Sequence, residues 1–150
     1  MKKSILSAAV LLVSSAAFAG QPDACISNVT SRLGSITNTY YPEFAANKEA
    51  YLAKDGGIWF ARKDFESARF TYSGGKEGYH SGGRQCELGE SESDPRYVAL
   101  KPLFAEAEKL LLEMEAAKNL TFVGNGDGYN VTFKDSKTGK EYTSSESNHL

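Results

Sequence analysis

Cysteine and histidine are scarce in this chain, with two of each among 150 residues. A structural zinc site takes four ligands, so His80, His149, Cys25 and Cys86 could supply one only by all converging. The two cysteines lack the C-x-x-C spacing of a redox pair. A nucleophile needs a base within reach, and histidine is the usual one. His80 sits in a glycine-rich stretch and His149 near the end of the chain, so nucleophilic catalysis finds little support. Basic excess is also missing. Seventeen Lys and Arg stand against 19 Asp and Glu, which argues against a nucleic-acid surface, because phosphate contacts need clustered cations. The one local basic group, Arg62, Lys63 and Arg69, is interleaved with Asp64 and Glu66 and reads as a solvated face.

Long apolar runs are absent except at the start. Met1-Lys2-Lys3 is a basic n-region, residues 5–13 are apolar, and Ala17-Phe18-Ala19 supplies the small residues a signal peptidase reads. The stretch is shorter than the ~20 residues a bilayer needs. Residues 1–19 are therefore expected to be a Sec-type signal peptide, cleaved after Ala19. The mature protein would be periplasmic or secreted, with no membrane anchor. Loss of Lys2 and Lys3 leaves 15 basic residues against 19 acidic ones, a net charge of −4. Residues 20–150 are long enough for one domain with a single core. In an oxidising compartment the lone pair Cys25 and Cys86 is expected to form one disulfide. Closing a loop of that size contributes about 4 kcal/mol in the chain-entropy picture.

What is present suggests an α+β domain. N-terminal helices and one long amphipathic helix would pack on a small antiparallel sheet that includes a C-terminal β-meander. Ile26, Val29, Leu33 and Ile36 recur at helical spacing after a possible Asp23 cap, although Gly34 weakens the second half. Tyr40-Tyr41-Pro42 breaks that pattern. A second helix from Pro42 would turn Phe44, Tyr51 and Leu52 inward and stop at Gly56-Gly57. Residues 58–72 fit two periods. Ile58, Ala61, Phe65, Ala68 and Tyr72 mark a helical stripe, but the aromatics and flanking double glycines favour two strands turned at Lys63-Asp64. Asp94-Pro95 opens the longest helix, with Leu100, Phe104, Ala107, Leu111 and Met114 inward. Pro102 marks either a kink or its true start. Glu106, Glu108, Glu113 and Glu115 form its expected solvated face, while Leu111 and Leu112 are expected in the core. Residues 120–123, 129–133 and 141–143 read as three strands joined by turns. Residues 144–150 are expected to fray.

Three constellations bear on function. Asn125-Gly126-Asp127-Gly128 has the look of a calcium loop, but the EF-hand ligand positions would fall on Val123 and Lys134, so it reads as a turn. Residues 73–85 repeat Ser-Gly-Gly-Lys as Ser-Gly-Gly-Arg and hold Lys76, Tyr79, His80 and Arg84. This is no phosphate cradle, since Lys76 is followed by Glu77. Glycine gives reach, and Tyr and Arg are the types that become binding hot spots. Glu87, Glu90, Glu92 and Asp94 follow, an acidic segment suited to steering a basic partner. The expected function is a protein-binding module, an inhibitor or immunity protein against a cell-envelope enzyme or toxin. No metal or cofactor is implied. The alternative is a small-ligand or metal-binding envelope protein using Tyr40, Tyr41, Trp59 and Phe60; a hydrolase built on a Glu87–Glu90 pair ranks below both. The exported protein should have the mass of a chain beginning at Gly20, and neither cysteine should alkylate before reduction. Two free thiols in the folded protein would rule out the disulfide.

Overall fold

Helix α1 (Gly20–Ser35) runs without a break into a π-helical turn, Ile36–Tyr40, and then into α2 (Tyr41–Ala46). A computed structural model describes residues 20–73, 95–124 and 130–150 of the chain. Pro42 has no N–H to donate, so the wide turn sits where the regular ladder would fail. The expected break at Tyr40-Tyr41-Pro42 is thus a change of winding, not an end. Asp23 falls within α1 and not at its start, since the backbone is already helical at Gly20. Val29, Leu33 and Ile36 are buried as the spacing requires, and Ile26 packs at the margin.

The expected second helix is two. Asn47 leaves the helical region at φ −156° and separates α2 from α3 (Lys48–Leu52), where its side chain accepts a hydrogen bond from the Ala50 N–H. That is N-cap chemistry. Phe44 and Tyr51 are buried, and the Tyr51 hydroxyl donates to the Gly57 carbonyl at 2.8 Å. Burial pushes the Tyr51 phenol well above its ordinary range.

Residues Gly57–Ser73 form one helix, α4, which overturns the strand reading of 58–72. In a strand, Ile58 and Phe60 would share a face, yet Ile58 is buried and Phe60 is 54% exposed. The helical stripe Ile58, Ala61, Phe65 and Ala68 is wholly buried. α1 and α4 pack along each other, and both contact the long helix α6 (Leu100–Ala117), which follows the short α5 (Pro95–Val98). Pro102 falls in the first turn of α6, so it marks the start, where a missing N–H costs nothing. Leu100, Ala107, Leu111 and Met114 are buried and Phe104 partly so. Leu112 is 50% exposed and does not join the core.

The meander is present: β1 (Leu120–Val123), β2 (Thr132–Asp135) and β3 (Glu141–Thr143) form a sheet in that order, both pairs antiparallel. Phe122 lies opposite Phe133, and Phe133 opposite Tyr142. The architecture is α+β, helices packed on a small antiparallel sheet. Cys25 is buried in the core and no described cysteine is free; Cys86 lies outside the described residues.

The expected frayed tail is docked. Ser144–Ser147 form a helical turn, α7, and the buried Ser147 hydroxyl donates to the Tyr142 carbonyl at 2.9 Å. Leu150 packs against the core. This turn also closes over Gly56, whose φ is +75° and whose Cβ, if present, would lie 2.7 Å from the Asn148 carbonyl oxygen. Gly139 has a similar φ of +79°, but a Cβ there would meet only the flexible Lys134 side chain, 4.0 Å away. Gly56→Ala should therefore lower stability by more than the about 1–3 kcal/mol of a left-handed non-glycine residue, and by more than Gly139→Ala, both read by denaturant unfolding. Equal losses would mean that the C-terminal turn yields freely.

Candidate functional site

Glu115 and the pair Arg62 and Glu66 were expected on solvated faces, and all three are buried, each 3% exposed or less. Helical spacing in α4 sets Arg62 and Glu66 one turn apart, and α6 presents Glu115 from across the packing interface. Arg62 Nε donates to Glu115 Oε2 at 2.7 Å and Nη2 to Oε1 at 2.8 Å. Nη1 donates to Glu66 Oε2 at 3.0 Å. Arg69 then holds the other oxygen of Glu66, its Nε at 3.0 Å. The Arg62 guanidinium lies 4.2 Å from the Phe122 ring centroid and 5.4 Å from that of Phe65, so one cation joins α4, α6 and the sheet. Burial pushes the Glu115 carboxyl up, partly offset by its hydrogen bonds and charge attraction to Arg62; Glu66 and Glu108 add to the rise.

A cavity of about 320 Å³ opens between α6 and β1 above this cluster. Glu108, Leu112 and Ala116, at successive turns of α6, form one wall, and Leu120, Thr121 and Phe122 form the other, with Arg62 and Glu115 at its base. Among the described residues no strand pairs with the other side of β1, where Phe122 is partly exposed and Leu120 only 5% exposed. The Ser136 N–H donates to the Asn119 carbonyl at 2.8 Å, which carries the β1–β2 register of Leu120 opposite Asp135 one step further. In an antiparallel ladder alternate residues direct both backbone groups to the same neighbour. Thr121 and Val123 therefore face β2, and the N–H and C=O groups of Leu120 and Phe122 point to the open side. Those groups have no hydrogen-bond partner among the described residues.

A second polar feature lies between α1 and α4. Arg32 Nε donates to Asn28 Oδ1 and Nη1 to Asp64 Oδ1, each at 3.1 Å, while the Tyr40 hydroxyl donates to Asp64 Oδ2 at 3.0 Å. Partial burial pushes the Tyr40 phenol up to about 12, with the Asp64 charge and hydrogen bond adding to it. An open groove of about 590 Å³ runs past Ser27, Ser31 and Ser35 to this network.

The four aromatics considered for a ligand pocket are not gathered into one. Tyr41 bonds Glu113 and packs on Phe44, whereas Trp59 meets Phe60 edge-on at 4.9 Å. No ring contact joins the tyrosines to that pair. Lys76, Tyr79, His80, Arg84, Glu87, Glu90, Glu92 and Asp94, and the turn 125–128, lie outside the described residues. Their points of attachment are described. Arg62 meets Glu115 at one end of α4 and α6, and Tyr72 meets Phe104 at the other, ring centroids 5.2 Å apart. The two helices are thus antiparallel, and the end of α4 is held beside the start of α6. Among the described residues no group of three or more His, Cys, Asp and Glu is placed to hold a metal, and no helix is long and apolar enough to cross a membrane.

The chain matches no protein-family model, and no curated protein or solved structure is significantly similar to it.

The sequence gives one clue to the buried cluster that was passed over. Arg62, Glu66 and Arg69 fall at i, i+4 and i+7, the spacing of paired charges on one helical face, and the strand reading of this segment hid it. Arg62→Met should cost about 3–5 kcal/mol, because it leaves Glu115 buried without its cation. Arg62→Met with Glu115→Leu should regain most of that loss, since Glu66 keeps Arg69; both are read by urea unfolding. The raised Tyr40 phenol sets a second expectation. The folded state holds this proton more tightly than the unfolded chain does, so the contribution is fully present below about pH 10. It is lost as pH rises towards 12. Tyr51 acts in the same direction. Tyr40→Phe should flatten, without abolishing, the fall in stability over that window.

Proposed function

We propose that the mature protein is an exported protein-binding module, an inhibitor or immunity protein that engages a basic enzyme or toxin of the cell envelope. One observation carries this reading. The end of α4 already lies beside the start of α6, so a short connection of about 2–8 residues would join them. The chain instead spends residues 74–94 on the connection, and connections of that length are most often functional or simple linkers. Its composition favours the functional case. Tyr79 and Arg84 are hot-spot types, Lys76 and His80 add donors, and Glu87, Glu90 and Glu92 supply the charge that draws in a basic surface. A disulfide between Cys25 and Cys86 would tie the segment to α1, whose Cys25 is fixed in the core. Periplasmic or secreted location follows from the leader at residues 1–19.

The groove beside Arg32 favours a second reading, a small polar ligand. Its volume suits such a molecule, and Asn28 and Asp64 hold the guanidinium ready for one.

The deciding experiment immobilises oxidised protein from Gly20 onward and challenges it with envelope and culture extracts. A basic wall hydrolase or toxin should be retained stoichiometrically. Tyr79→Ala with Arg84→Ala should weaken that complex by about a hundredfold or more, as the loss of two hot spots does. An unchanged complex would remove the loop from the interface. Retention of no protein would shift the weight to the Arg32 groove.

A further inference from the structure

We propose that the free edge of β1 and the α6–β1 cavity receive an extended segment of a partner protein. The segment would pair with Leu120 and Phe122 as a fourth strand and place a lysine or arginine side chain beside Glu108. This deepens the protein-binding reading and rests on it, but it assigns a different surface from the 74–94 connection.

The backbone dictates the form of the occupant. Two residues of β1 direct both their N–H and C=O groups away from the sheet, without a partner among the described residues. An added strand matches that alternation, and strand addition to an exposed edge is a general mode of peptide recognition. β3 is also an edge, but the α6–β1 cavity lies beside β1.

The cavity dictates the side chain. A docked strand sends every second side chain to one face. The walls that side chain would meet are Leu112 and Ala116, with Leu120 and Phe122 opposite. Leu112 is half exposed, so an aliphatic stem gains apolar contact there. The charge at the end of that stem follows from the groups around it. Arg62 is spent on Glu115 and Glu66, and Arg69 on Glu66. Glu108 then stands at the mouth as the charge with no ion-pair partner among the described residues. A side chain with an aliphatic stem and a cationic head suits both features, whereas a carboxylate would meet Glu108 at the mouth.

The test uses the full mature protein labelled with 15N and the peptide acetyl-Lys-Val-Lys-Val-Lys-amide. The same peptide with Glu for Lys is the control. The Leu120 and Phe122 amides should shift on titration, and their hydrogen exchange should slow at least tenfold at saturation. The acidic peptide should leave both amides unmoved. Glu108→Lys should reduce affinity for the basic peptide about tenfold at low salt, while Glu106→Lys, on a different face of α6, should not. The inference is overturned if millimolar basic peptide moves neither amide. It is equally overturned if the shifts centre on Glu141 and Thr143 of β3, or if the acidic peptide binds as well. Failures of the two readings separate cleanly. A captured partner that is lost with the Tyr79 and Arg84 variant but indifferent to Glu108→Lys sinks the edge alone. Peptide bound at β1 with no captured partner sinks the loop reading alone.

Discussion

The Arg62 guanidinium is the point on which the rest of the structure depends. It joins two helices and the sheet through a bidentate bond to Glu115, a bond to Glu66 and a close face-on contact with Phe122. Such a cluster is a poor source of net stability, because taking the ions out of water costs several kcal/mol each. Burial pushes the Glu115 carboxyl up even with Arg62 bound to it, which expresses the same cost. Its contribution is geometric. A guanidinium that must satisfy two carboxylates fixes the rotation of α4 against α6 and the height of β1 above both. Apolar contacts alone tolerate sliding, and paired hydrogen bonds do not.

From that fixed frame the two surfaces of interest follow. At one end of the α4–α6 pair, Tyr72 and Phe104 hold together the two points from which residues 74–94 depart. At the other end, the turn after α6 delivers β1 so that one of its edges has no paired strand among the described residues and a cavity forms between strand and helix.

The helical stripes were legible in the sequence wherever apolar residues alone defined them. Val29 and Leu33 in α1, Ile36 at the start of the π-helical turn, and Leu100, Ala107, Leu111 and Met114 in α6, are buried as their spacing demands. The meander was legible from alternation and turn residues. The segment 58–72 was misread because its inward face is not purely apolar. Arg62 and Glu66 occupy core positions, and a reading that counts only apolar residues sees a broken period. Glu115 was misplaced for the same reason, and Leu112 for the converse one, since nothing in its neighbours shows that the core ends one residue earlier. The C-terminal residues are polar and short, so only contact with Gly56 and the Tyr142 carbonyl reveals that they dock.

By itself the sequence determined the class of fold and the scarcity of cysteine and histidine, because these depend on local composition and on periods of two or three to four residues. Tertiary structure alone decided which charges are buried, where α4 ends relative to α6, and which strand lies beside the cavity. Each of these depends on residues far apart in the chain meeting in space. Arg62 and Glu115 are 53 positions apart, and no local pattern in either segment encodes the other.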